Sequence, residues 1–222
     1  IETGLSAPEG IPVTVLAEIS PVTKSGEAVS SDNGFDRTSF LSGDQIKVTR
    51  TKKASGTAAS QSASYRYDGT SAWTVVGTSP VTLEPAVTYS AQFPADYSAI
   101  NQFQTTSAAY LASNLLKTGD ATSSDGTLDF TSSGKPFTHV NSKLTLKFTV
   151  NRETTIANDA VLVAAAGIRT AVSTNQTITL YRPYPVDASR KYEWCGILRA
   201  VGGSAGTPAT DLTVSLTCDG VT

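Results

Sequence analysis

Apolar residues fall at every second position in Ile11, Val13, Val15, Ala17 and Ile19. That spacing puts them on one face of an extended chain and predicts a half-buried β-strand over 11–20. A tract rich in Ser, Gly, Asp and Asn follows from 23 to 34, too polar to bury and well supplied with turn formers. Further strand-like runs lie at 45–51, 64–68, 72–77, 87–93, 143–151, 160–166, 176–182, 191–199 and 211–218, with a shorter one near 128–130. Asp68-Gly69, Ser79-Pro80, Asp125-Gly126, Gly202-Gly203 and Asp219-Gly220 punctuate them. The clearest alternation runs from Leu144 to Val150. It predicts Leu144, Leu146, Phe148 and Val150 toward a core, with Thr145 and Lys147 toward water. One short helix of a turn or two is expected within 105–117, where Ala and Ser dominate.

A polar, Gly-containing tract at 118–136 separates two groups of strands. It predicts an all-β chain of two tandem antiparallel β-sandwich domains, 1–134 and 135–222. Composition agrees: among 222 residues, 39% are hydrophobic and only 16% charged, with 17 Gly and 10 Pro, which suits many short strands joined by turns. A net charge of −2 gives no electrostatic case for binding nucleic acid or an anionic membrane surface. The basic cluster Lys47, Arg50, Lys52 and Lys53 has no aromatic residues interleaved and reads as a charge-guarded edge strand. The chain starts at Ile1 and contains no Met, as expected of a processed chain whose leader has been removed.

The inventory for chemistry is thin. His139 is the one imidazole, at the head of a strand and without a nucleophile motif, so a structural role is expected and no catalytic residue is assigned. Asp32/Asp36 and Asp120/Asp125 lie in turns, where Asp bonds backbone N–H groups by default. Cys195 and Cys218 both fall in strands. They can bond if those strands are neighbours and are otherwise inert thiols; with one His they cannot form a structural zinc site unaided. No metal and no cofactor is expected. Tyr65, Tyr67, Trp73, Tyr89 and Phe93 read as core, or as a sugar-stacking platform if they share an exposed face. In Tyr181-Arg182-Pro183-Tyr184-Pro185 the prolines forbid a central strand, so Tyr181, Arg182 and Tyr184 are the candidate contact surface. Arg37 stands at the end of the polar loop, within reach of a trypsin-like protease. Cleavage there would free strand 11–20 and leave a groove able to accept a strand from another molecule.

Four stretches in order carry a resemblance. These are Arg37-Thr38-Ser39-Phe40-Leu41-Ser42-Gly43-Asp44-Gln45-Ile46; Tyr65-Arg66-Tyr67-Asp68-Gly69 leading to Trp73; Ser107-Ala108-Ala109 through Asn114-Leu115-Leu116; and His139-Val140-Asn141-Ser142-Lys143-Leu144. Together the chain resembles the Bacteroidetes fimbrillin-like proteins, subunits and relatives of protease-assembled (type V) pili. The resemblance runs from about Ile11 to Val150 and less clearly beyond. It implies transthyretin-like sandwiches, a lipoprotein signal upstream, an outer-membrane or cell-surface location, and other pilus subunits as partners by strand exchange. A host or bacterial surface glycan or protein is a further expected partner. The alternative is a glycan-binding surface module of a polysaccharide-uptake system.

Overall fold

The computed structural model describes residues 10–20, 37–51, 59–149, 161–169, 175–199 and 213–218. They form two compact units: one of residues 10–20, 37–96 and 116–138, the other of 97–115 and 139–218. Among the described residues the chain passes between units at 96/97, 115/116 and 138/139.

In the first unit, β1 (Thr14–Ala17), β2 (Gln45–Arg50), β3 (Gln61–Tyr67), β4 (Trp73–Val75), β5 (Tyr89–Phe93), β6 (Leu116–Lys117) and β7 (Thr127–Phe130) appear in chain order. Their positions follow the alternation in the sequence: β2 reads buried–exposed–buried from Ile46 to Val48, and β5 buries Tyr89, Ala91 and Phe93. A six-stranded sheet has the order β4-β3-β2-β5-β6-β8, where β8 is Thr138–His139. β2 is thus central, between β3 and β5, and not the charge-guarded edge that its lysine and arginine suggested. Lys47 points to water from the outer face, whereas Arg50 is buried against neutral oxygens. Lys52 and Lys53 lie outside the described residues.

Opposite this sheet lie β1 and β7, and they pair in parallel, Thr14 with Thr127 through Ala17 with Phe130. Among the described residues every other pair of strands is antiparallel, and single parallel bridges join Ile19 to Phe137 and Phe103 to Thr179. The core between the layers takes Val13, Val15 and Ile19 from the first strand, Leu128 and Phe130 from β7, and Ile46, Val48, Tyr65, Tyr89 and Phe93 from the larger sheet. Phe40 sits among aromatic rings at its centre, edge-on to Trp73 (4.9 Å), Phe93 (5.4 Å) and Phe137 (5.2 Å). The β3–β4 hairpin turns at Asp68-Gly69, where Gly69 has φ of 95° and an added Cβ would meet Ser42 at 2.8 Å.

The second unit holds α1 (Ser107–Ser113), β9 (Ser142–Lys147), β10 (Val161–Arg169), β11 (Asn175–Thr179), β12 (Glu193–Leu198) and β13 (Thr213–Cys218). Two antiparallel sheets form, β11-β10-β13 and β12-β9. Val163, Ile178, Leu180 and Trp194 pack together, with Leu144, Leu146 and Phe148 against them. Those three are half-buried rather than buried, Thr145 and Lys147 are exposed as expected, and Val150 lies outside the described residues. β12 is buried along nearly its whole length and does not alternate. Trp194 faces the sheet core, while Cys195 and Ile197 join Ile100 and Tyr110 of the α1 layer. On the edge of β12 away from β9, Cys195 exchanges backbone bonds with Tyr181, and two residues on, the fully buried Gln104 side chain accepts from Ile197 N–H (2.7 Å) and donates to Ile197 O (2.8 Å).

Candidate functional site: the seat of the first strand

Strand 11–20 is hydrogen-bonded on both sides. On one side it runs parallel to β7: Thr14 N–H donates to Gly126 O (2.8 Å) and Glu18 N–H to Phe130 O (3.0 Å). Beyond β7 the pairing continues with Phe137, which takes Ser20 N–H (2.8 Å) and gives its own N–H to Glu18 O (3.0 Å). On the other side its start runs antiparallel to 81–83, through Val13 N–H to Val81 O (3.0 Å) and Leu83 N–H to Ile11 O (2.7 Å). Pro12, without an N–H, sits between those bonds, where no donor is needed. Val13, Val15 and Ile19 are buried as the period predicted. Ile11 is the exception, 64% exposed, because it precedes the point where β7 covers the strand.

The segment 80–84 is not a ladder strand, yet nearly all its backbone is satisfied by side chains from the larger sheet. Val81 N–H donates to Tyr65 Oη (3.0 Å), Thr82 N–H to Gln61 Oε1 (3.0 Å) and Glu84 N–H to Tyr89 Oη (2.8 Å). Gln61 Nε2 donates to Pro80 O (2.8 Å), and Arg50 Nη1 to Thr82 O (3.0 Å) and Thr82 Oγ1 (2.8 Å). Burial raises the Tyr65 phenol above its ordinary pKa, with the bond from Val81 opposing it, so the hydroxyl stays protonated. Sequence reading passed over Gln61 and Thr82 and took Arg50 for an edge charge. The available signal was a Gln and an Arg at the paired ends of two neighbouring strands, facing a Ser-Pro turn.

Arg37 is placed by its own segment. Its Nη1 donates to Asp44 Oδ2 at 2.9 Å, with side-chain exposures of 13% and 12%, and its guanidinium lies 5.5 Å from the Phe93 ring centre. The same carboxylate oxygen accepts Leu41 N–H at 2.7 Å, closing the turn before β2. A protease that takes Arg37 into a pocket must first draw it off Asp44 and Phe93. The polar tract at 23–34 lies outside the described residues.

The second candidate surface is half-buried. Tyr181 exchanges backbone bonds with Cys195 (2.8 Å each way) and its ring lies near Tyr110. Arg182 Nε donates to Lys191 O (2.7 Å), and its guanidinium covers the Trp194 ring at 4.9 Å. Tyr184 carries the Arg190 guanidinium on its ring at 3.5 Å, and Arg190 is bonded in turn to Glu193. Burial raises the Tyr181 phenol pKa and lowers that of the Arg182 guanidinium. These side chains pack largely on their own unit, and the Tyr184–Arg190 pair is the part nearest to solvent chemistry.

The remaining candidates take structural places. His139 Nδ1 lies 3.0 Å from Asn114 Oδ1. Tyr65, Trp73, Tyr89 and Phe93 are core, and Tyr67 stacks on Trp73 at 4.9 Å, so they form no open platform. The strands carrying Cys195 and Cys218 are in different sheets and do not pair with each other. Among the described residues, no group of three or more His, Cys, Asp or Glu gathers to hold a metal ion, and no helix is long and apolar enough to cross a membrane.

No family model matches the chain, and no curated protein matches it. Solved structures are similar to it, among them two from Bacteroides. One is a fimbrial protein from Bacteroides ovatus, 16% identical with a TM-score of 0.46, the alignment covering 95% of this chain and 44% of that one. The other is described as a candidate cell adhesion protein from Bacteroides fragilis, 15% identical with a TM-score of 0.46, covering 96% of this chain and 85% of that one. The chain thus spans less than half the length of the first of them.

Proposed function

We propose that this chain is a non-enzymatic cell-surface fimbrial subunit or pilus-associated adhesin that assembles by β-strand complementation. In this reading strand 11–20 is a removable plug, a trypsin-like protease cuts at Arg37, and another subunit's strand takes the vacated seat. The supporting observation is the seat itself. One short strand puts Val13, Val15 and Ile19 into the core of its unit, yet it joins the rest of that unit in sequence only through residues 21–36, which precede Arg37. Main-chain bonds on two sides would supply affinity, and the three sockets would select apolar residues at alternate positions. The partners are other pilus subunits, and the resemblance extends the reading to an exported lipoprotein of the outer membrane. A surface contact, with a glycan or a protein, is assigned to Tyr181, Arg182 and Tyr184. The rival reading, a glycan-binding module, has no aromatic platform in the first unit to stand on, since those rings are core.

The test is limited trypsin digestion of the folded protein followed by a labelled synthetic peptide of sequence 10–20. Nicked protein is expected to exchange its own strand for the peptide, and intact protein is not. Failure of nicked, still-folded protein to take up the peptide overturns the reading.

A further inference from the structure

The two sides of the strand's seat are built differently. β7 is a strand whose pairing with 11–20 is a regular ladder. The 80–84 segment, by contrast, spends three of the four N–H groups from Val81 to Glu84 on Tyr65, Gln61 and Tyr89. Its Pro80 and Thr82 carbonyls go to Gln61 and Arg50. Only Leu83 N–H and Val81 O reach strand 11–20. Val81 is also fully buried in the core, which anchors the segment by packing as well.

We infer that 80–84 is a preformed rail that outlasts the strand, and that Arg50, Gln61, Tyr65 and Tyr89 are positioning residues holding Val81 O and Leu83 N–H ready for whichever strand docks. The physical reason is that strand departure exposes one donor and one acceptor of the rail, Leu83 N–H and Val81 O, while the side-chain bonds from Arg50, Gln61, Tyr65 and Tyr89 that fix its shape come from β2, β3 and β5. The ordering entropy of the rail is then met when the large sheet folds, not when a guest arrives, and a guest binds a surface already in its bound form. This rests on the detachable-strand reading of the preceding subsection.

Native-state hydrogen exchange on the intact full-length chain, in low denaturant, tests both and separates them. The amides of Thr14, Glu18 and Ser20 are expected to exchange through a partial opening, and Leu83 to exchange with them. Val81, Thr82 and Glu84 are expected to follow the core amides of Ile46 and Val48. In Gln61→Ala, the Thr82 amide should lose protection about tenfold while Val81 and Glu84 keep theirs, since each has its own tyrosine. If the strand opens early but Thr82 and Glu84 open with it, the rail is wrong and the detachable strand stands. If Thr14, Glu18 and Ser20 exchange only on global unfolding, the detachable strand falls and takes the rail with it.

Discussion

A single carboxylate, Asp44, does two jobs, receiving both the Arg37 guanidinium and the Leu41 N–H. Trypsin should therefore cut the wild type slowly at Arg37. Asp44→Asn, which keeps an oxygen for Leu41 but loses the charge, should speed that cut about fivefold, the worth of a weak ion pair. Arg37→Ala should move cleavage to Lys24 rather than abolish it; mass spectrometry of the fragments reads both outcomes. Four other aspartates share one local device. Asp68, Asp125, Asp129 and Asp187 each accept the N–H of a Thr or Ser two residues on, and the repeated Asp-x-Thr/Ser pattern makes this readable from sequence. At Asp68 the Thr70 backbone N–H is the main cause that lowers the carboxyl from 3.8 to about 2. Its contribution is in place above 3.8 and is lost as pH falls through about 2. Asp68→Asn should flatten that part of the decline in melting temperature between pH 4 and 2.

At the scale of elements, period-two spacing located nearly every described strand, because a face that is buried on one side only leaves a clear imprint. It failed where that condition failed. β12 is covered on both faces, so its run from Glu193 to Ile197 does not show which residue meets which layer. The parallel pairing of β1 with β7 could not be read either, since pairing partners more than a hundred residues apart leave no local signal. Nor could the rail at 80–84, which is held by side-chain bonds from distant strands rather than by a pattern of its own. The mixed seat has a checkable polarity: a guest must run parallel to β7 and antiparallel to 81–83. A peptide with the 10–20 sequence should enter nicked protein, and the same residues in reverse order should compete at least tenfold less well, since reversal misplaces Val, Val and Ile and the gap left by Pro12.

At the scale of the molecule, the polar tract before Pro136 was expected to divide the chain into two groups of strands, and 97–115, which lies ahead of it, belongs with the second unit. What assigns it there is Gln104 and the α1 residues, contacts made with β12 almost a hundred positions away. Gln104 also completes part of one edge of that sheet. Its amide stands in for one peptide unit beside Ile197, continuing with a side chain the edge that the Tyr181 backbone pairs at Cys195. Truncating it by Gln104→Ala should leave Ile197 with a donor and an acceptor looking for partners, costing about 1–3 kcal/mol in a denaturant melt. One amide thus does for Ile197 what a neighbouring strand would do, and ties a segment 93 positions away in sequence to the sheet.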